Sequence, residues 1–236
     1  MIMKRKILIL FDVGAVLVRL DFRSFFEESA KIGRNTAEQI KEAYVASNLE
    51  KDCAEGQINK AAYYQRVRTL IQPKAKISQE QLEQLVGLMW PGQIDEMVAL
   101  KEELYKQGYV VGIFSNIADF AYETIERKYP AIFETFDPKA PKILSYQIKA
   151  MKPNKPMYEA VATRSYKRVI LIDDKDQYLE TGRTFGWFGI HFTQYIDTTE
   201  PARLMHPDKG QQEAGFIQAD SRREVEVALE RFGVKL

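Results

Sequence analysis

Apolar residues gather into three short unbroken runs, Ile7 to Phe11, Tyr109 to Phe114 and Val169 to Ile172. Each run is followed by polar residues and then by apolar positions at helical spacing. A run without alternation belongs to a strand covered on both faces, as strands of a parallel sheet are. Strand, loop and helix repeated in that order predict an α/β fold. In open sheets of this kind the functional residues collect at the carboxyl ends of the strands. The three runs end in Asp12, in Ser115-Asn116 and in Asp173-Asp174. A shorter run, Gly189 to Phe192, predicts a further strand, and Phe216-Ile217 another.

Nearly all of the long stretch between the first two runs reads as helix. Asn35-Thr36-Ala37-Glu38 and Ser78-Gln79-Glu80-Gln81 have the form of capping boxes, in which the first and fourth residues exchange backbone bonds. Asn59 caps a further predicted helix through Tyr63, Tyr64 and Val67 to Leu70, and Asp21 caps the first. Residues 22–89 therefore form a predicted helical insertion, whose return is punctuated by Trp90-Pro91-Gly92. Residues 1–21 and 90–236 form the predicted core. Within it, a helix from Ile94 to Gln107 stops at Gly108, another runs from Phe120 to Lys128, and Ser221 opens a last one reaching Phe232.

Charge narrows the partners. The 236 residues carry 34 Lys and Arg against 33 Asp and Glu, a net charge of +1 with no basic block, so neither nucleic acid nor a membrane surface is an expected partner. Lys4-Arg5-Lys6 before an apolar run resembles the start of a secretion signal, but Asp12 interrupts that run after five residues and no small-residue cleavage site follows. No stretch approaches the length of a membrane span, and the expected compartment is the cytoplasm. One cysteine, Cys53, excludes an intrachain disulfide, and two histidines, His191 and His206, cannot make a histidine-rich metal site. Any bound metal must be held by oxygen.

The strand ends carry the candidate chemistry. Asp12 lies where an apolar strand stops and Gly14 allows a sharp turn; its carboxylate can attack phosphorus or simply cap that turn. Asp173 and Asp174 repel each other unless a cation or hydrogen bonds stabilise them, and oxygen ligands suit Mg²⁺; the alternative is a solvated loop. Ser115 and Asn116 precede a helix, where they form an anion site or an ordinary cap. Lys152, in Met151-Lys152-Pro153, is a surface charge unless the carboxylates and an anion need a neutralising cation.

Taken together and in order, these segments resemble the motifs of the haloacid dehalogenase superfamily. Phe11-Asp12-Val13-Gly14-Ala15-Val16-Leu17 is similar to its first motif, Phe114-Ser115-Asn116 to its second, Lys152-Pro153 to its third and Ile172-Asp173-Asp174 to its fourth. The resemblance spans Lys6 to Thr193. It implies a Rossmann-like parallel sheet flanked by helices, with residues 22–89 as a small helical cap inserted after the first strand. It also implies an Mg²⁺-dependent phosphatase acting on a small phosphorylated metabolite through an aspartyl-phosphate. Asp12 would be the nucleophile, and Ser115, Asn116 and Lys152 would hold the phosphoryl oxygens. Asp12, the Gly14 carbonyl and Asp174 would bind the metal, with Asp173 acting through a metal-bound water.

One position departs from the pattern. Phosphatases of the superfamily usually carry a second aspartate two residues after the nucleophile as general acid and base, and Gly14 stands there. A branch similar to bacterial sugar-1-phosphate phosphatases has glycine at this place, which makes a sugar phosphate a candidate substrate. Asp21 is a substitute proton donor if it does not cap a helix. Two alternatives remain: a metal-free 2-haloacid dehalogenase, which the Asp173-Asp174 pair opposes, and a catalytically weak metal-binding regulatory protein, which Gly14 favours. In the insertion, Glu55, Gly56, Tyr63, Tyr64, Arg66 and Arg68 read as structural, Cys53 as a small buried residue and His191 as a core or edge position. The tail from Asp197 to Gly215 carries no functional signal.

Overall fold

Six strands form one sheet in the order β3-β2-β1-β4-β5-β6, with every neighbouring pair parallel: β1 (Ile7–Phe11), β2 (Val110–Ser115), β3 (Lys142–Leu144), β4 (Arg168–Asp173), β5 (Phe188–Phe192) and β6 (Phe216–Ala219). The computed structural model describes residues 4–134, 140–162, 166–197 and 216–236. This strand order is that of a doubly wound, Rossmann-like α/β sheet. Its order reverses between β1 and β4, and the crevice at the carboxyl ends of those two strands is where such sheets bind ligands. Leu10 pairs with Leu171 and Phe11 with Ile172, which brings the residues after both strands side by side.

The unbroken apolar runs are explained by burial on both faces. Along β1, Ile7, Ile9 and Phe11 enter one hydrophobic core while Leu8 and Leu10 enter another, and β2 divides likewise between Val111 and Ile113 on one side and Val110 and Phe114 on the other. The second core is closed by α10 (Lys155–Ala162) and α11 (Asp176–Thr184), where Phe114, Tyr158 and Trp187 pack edge to face or tilted at 5.0 to 5.5 Å between ring centres.

Between β1 and β2 lie α1 (Phe22–Ile32), α2 (Ala37–Ala46), α3 (Leu49–Ala54), α4 (Lys60–Ile71) and α5 (Gln79–Val86), followed by α6 (Asp95–Lys106), which leads back into the sheet. Asp21 caps α1 by accepting from the Ser24 N–H at 2.9 Å, Asn59 caps α4, and the Ser78 box forms as predicted. The first box is displaced by one residue. Thr36 and Gln39 exchange the capping bonds, because the Asn35 amide is drawn away to the Leu70 carbonyl at 2.8 Å. The incoming and outgoing chains of the insertion lie side by side: Val18 bridges Gln93, Arg19 N–H donates to Gly92, Asp21 N–H to Met89 and Ile94 N–H to Leu17.

Gly108 takes the positive φ expected of it, +88°. The turn after β1 differs from expectation: Ala15, not Gly14, adopts the left-handed conformation, with φ of 57°. Bonds from Ala15 N–H to the Val18 carbonyl and from Val18 N–H to the Val13 carbonyl close the loop and hold it there. After β2 come α7 (Asp119–Lys128) and α8 (Ala131–Glu134); α9 (Ser145–Ile148) follows β3, and α12 (Arg222–Arg231) closes the chain, capped by Ser221. Of the featureless tail only its first residue, Asp197, is described; it accepts the Phe22 N–H at 2.8 Å, while His206 lies outside the described residues. Among the described residues no helix is long and apolar enough to cross a membrane.

Candidate active site

The carboxyl ends of β1 and β4 bring three buried carboxylates together. One oxygen from each of Asp12, Asp173 and Asp174 lies within 4.8 Å of the others. Lys152 rises beneath them from the loop before α10, with its side chain wholly enclosed. Its Nζ is 2.6 Å from Asp173 Oδ2 and 3.2 Å from Asp12 Oδ1, donates to the Phe114 carbonyl at 3.0 Å, and lies 4.9 Å from the centre of the Tyr178 ring. Lys152 is therefore no surface charge. The attraction of Asp12 and Asp173 outweighs the cost of burial and keeps its ammonium charged.

Asp173 is held on both oxygens, since Oδ1 also accepts the Lys175 N–H at 3.0 Å. Burial pushes its carboxyl up to about 8, with Asp12 and Asp174 adding to the rise and Lys152 opposing it. Asp12 is in the opposite situation: its Oδ1 is buried and accepts no hydrogen bond, although the Lys152 charge is near. Three clustered carboxylates, with an unbonded oxygen among them, are a donor set that fits a small hard cation. His191, in β5, touches the Asp174 carbonyl through Nε2 at 3.0 Å and so steadies the loop that carries it.

Ser115 and Asn116 end β2 beside this cluster, and neither caps α7, whose N-cap is Ala118. Ser115 is buried and lines the cavity above Asp12. The Asn116 amide is committed to the third segment, accepting from Lys152 N–H at 2.7 Å and donating to the Lys152 carbonyl at 3.0 Å and the Tyr178 hydroxyl at 3.2 Å. Tyr178, a residue with no sequence signal, thereby meets Lys152 with its ring and Asn116 with its hydroxyl. Ser145 ties down the same loop, accepting from Ile117 N–H at 2.9 Å.

A cavity of about 90 Å³ opens over Asp12, Gly14 and Asp174. Its far side is built by the helical insertion and its return, with Phe22, Tyr44, Cys53, Tyr63 and Trp90 among its walls and Glu50 as a carboxylate. Tyr63 lines it, whereas Tyr64, Arg66 and Arg68 do not. Burial pushes the Cys53 thiol up to about 12, which removes it as a nucleophile. Asp21 is absent from the lining and spends its carboxylate on the Ser24 N–H and hydroxyl.

No family model and no curated protein matches the chain. Solved structures do. A haloacid dehalogenase (HAD) family enzyme of Bacteroides thetaiotaomicron, in complex with magnesium and inorganic phosphate, superposes with a TM-score of 0.65 at 23% identity over 77% of this chain and 91% of that one. The fold is that of the HAD hydrolases. A predicted HAD-like family hydrolase of Porphyromonas gingivalis gives a TM-score of 0.65 at 20% identity over 85% and 98% of the two chains. The L-2-haloacid dehalogenase of Xanthobacter autotrophicus, with chloropropionic acid covalently bound, gives 0.60 at 12% over 96% and 98%. At these identities the likeness is one of fold, and phosphate-binding and halide-releasing enzymes share the HAD fold.

Proposed function

We propose that this chain is an Mg²⁺-dependent phosphatase that hydrolyses a small phosphorylated metabolite through an aspartyl-phosphate on Asp12. The observation that carries the reading is the buried, unbonded Asp12 Oδ1 at the switch point of the sheet, facing a cavity and flanked by Asp174 and the Lys152 ammonium. Asp12 would attack phosphorus in line with the departing oxygen, which leaves with the electron pair of its bond to phosphorus. Water would then attack the same phosphorus, the bond to Asp12 would break, and the carboxylate would be regenerated. Lys152 and the Ser115 hydroxyl are suited to the phosphoryl oxygens, while the Asn116 side chain positions Lys152. Its contribution to substrate is then through the loop it shapes.

Asp12, Asp174 and the Gly14 carbonyl would hold the metal, which offsets the charge of the phosphoryl group when bound. Asp173, with both oxygens already engaged by the chain, suits an outer position reached through water. Residues 22–89 would form a cap over the core of 1–21 and 90–236. The paired segments at Leu17–Asp21 and Met89–Ile94 would then be its hinge, closing the cavity against water.

The dehalogenase reading is the weaker one, because a metal-free attack on carbon leaves the charge of the Asp12, Asp173 and Asp174 cluster to the Lys152 ammonium, which contacts Asp12 and Asp173, with no metal to share it. Release of phosphate and of chloride, assayed with and without Mg²⁺, tests the proposal. Phosphate release that requires Mg²⁺ is expected from small phosphomonoesters; chloride release from 2-chloropropionate without metal contradicts it.

A further inference from the structure

Asp12 Oδ1 accepts no hydrogen bond, although the Lys152 ammonium lies within bonding distance at 3.2 Å. An ammonium carries three N–H donors. Lys152 gives one to Asp173 Oδ2 at 2.6 Å and one to the Phe114 carbonyl at 3.0 Å, and the third is withheld from Asp12. The other neighbours of this ammonium are aromatic: the centre of the Tyr178 ring is 4.9 Å from Nζ and that of Phe114 5.4 Å. Phe114 belongs to the core, packed against Tyr158 and Trp187. Tyr178 lines the cavity over Asp12 and is braced twice, its hydroxyl accepting from Asn116 Nδ2 at 3.2 Å and its carbonyl from the Tyr158 hydroxyl at 2.7 Å. The same Asn116 amide clamps the Lys152 backbone, so ring and ammonium share one support.

We propose that Tyr178 is a positioning residue that acts through Lys152: its ring holds the ammonium beside Asp12 while keeping the third N–H off the nucleophile. This deepens the phosphatase reading of the same site and rests on it. A carboxylate oxygen that accepts a charge-assisted hydrogen bond attacks poorly, because the bond engages the lone pair that must reach phosphorus. A ring face attracts the same positive charge without touching that lone pair. The ammonium therefore stays close enough to offset the charge of an arriving phosphoryl group, and its third N–H can turn to a phosphoryl oxygen. Without the ring, the nearest acceptor for that N–H is Asp12, and the nucleophile would be quenched. Lys175 Nζ lies farther from the same ring, 5.6 Å from its centre.

The test varies the charge of the ring face while keeping its shape. Tyr178→Phe is compared with proteins carrying 4-fluoro-, 3,4,5-trifluoro- and pentafluorophenylalanine at the same position, since fluorine withdraws the negative charge of the face. Tyr178→Leu removes the ring. For each variant, shown folded by circular dichroism, kcat/KM is measured with acetyl phosphate in excess Mg²⁺, because this ratio reports the attack by Asp12. It should fall stepwise with fluorination, by about tenfold or more from phenylalanine to its pentafluoro form, the size of a desolvated cation–π contact. Tyr178→Leu should fall at least as far. Repeated on Lys175→Met, the series should keep its slope. A ring that only fills space would give values within about twofold across the fluorinated series, which would overturn the role of Tyr178. A slope that vanishes with Lys175→Met would overturn it too, by assigning the ring to the other lysine. If folded wild type releases no phosphate from acetyl phosphate, the phosphatase reading falls and takes this inference with it.

Discussion

Lys152 Nζ donates to Asp173 Oδ2 at 2.6 Å in a wholly buried contact, and the same Nζ forms a buried ion pair with Asp12 at 3.2 Å. Removing one partner of such a pair strands the other, a loss of about 3–5 kcal/mol. Lys152→Met should therefore lower stability to urea by that order when no metal is present, and should lower kcat as well as affinity. Lys155→Met, three residues on and exposed, should change stability by no more than about 0.5 kcal/mol. Equal and near-normal behaviour of the two variants would remove Lys152 from the site.

The acidic cluster should make the metal-free protein sensitive to pH. Asp173 is raised to about 8 by burial and by its carboxylate neighbours, so the folded state holds a proton that the unfolded chain has already lost. That contribution to stability is complete below the ordinary carboxyl range and is lost as pH rises through about 8. Melting temperature without metal should accordingly decline from pH 5 to 8, and added Mg²⁺ should reverse the trend, because cation and proton compete for one cluster. Calorimetric titration should find Mg²⁺ affinity rising with pH over the same interval by at most about tenfold per unit. Affinity independent of pH would place the metal elsewhere.

Gly14 leaves the departing oxygen without the usual acid, and Asp21 is occupied in capping α1. Turnover should then depend steeply on the acidity of the leaving alcohol, with acyl, aryl and anomeric phosphates that fit the cavity outpacing simple alkyl ones. The backbone permits a direct test, since the left-handed residue is Ala15, while a Cβ on Gly14 would meet only the end of Leu20, at 3.3 Å. Gly14→Asp should raise alkyl phosphate turnover more than acyl phosphate turnover, by up to about 10²–10⁴. A leaving-group series that is flat in the wild type would mean that another residue supplies the proton.

How much of this was legible in the sequence follows from where each signal resides. The apolar runs within β1, β2 and β4 reflect burial, complete along β1 and β2 and from Ile170 onward in β4, and that pattern needs no partner to be read. β3 escaped notice: it is three residues long and begins with an exposed lysine. Asp21, Asn59 and Ser78 cap helices within three residues, so local spacing sufficed, whereas the Asn35 amide was captured by a carbonyl 35 positions away. Asp12, Asp173 and Lys152 were visible as strand-end or pre-helix residues, but that Lys152 is enclosed and clamped by Asn116 depends on contacts 36 positions apart. Glu50 and Tyr178 carry no local signal, and only the packing of the insertion and of α11 brings them to the cavity.

The central claim is that the Asp12 carboxylate is the nucleophile, and phosphate release by Asp12→Asn measures it most directly. The substitution is nearly isosteric and removes one charge from a crowded acidic cluster, so the variant should stay folded by circular dichroism. With acetyl phosphate and excess Mg²⁺, wild type should release phosphate and become transiently labelled on Asp12, detectable by rapid quench and mass spectrometry. The folded Asp12→Asn protein should show neither label nor turnover above the uncatalysed rate. Turnover near the wild-type value in that folded variant would contradict the account.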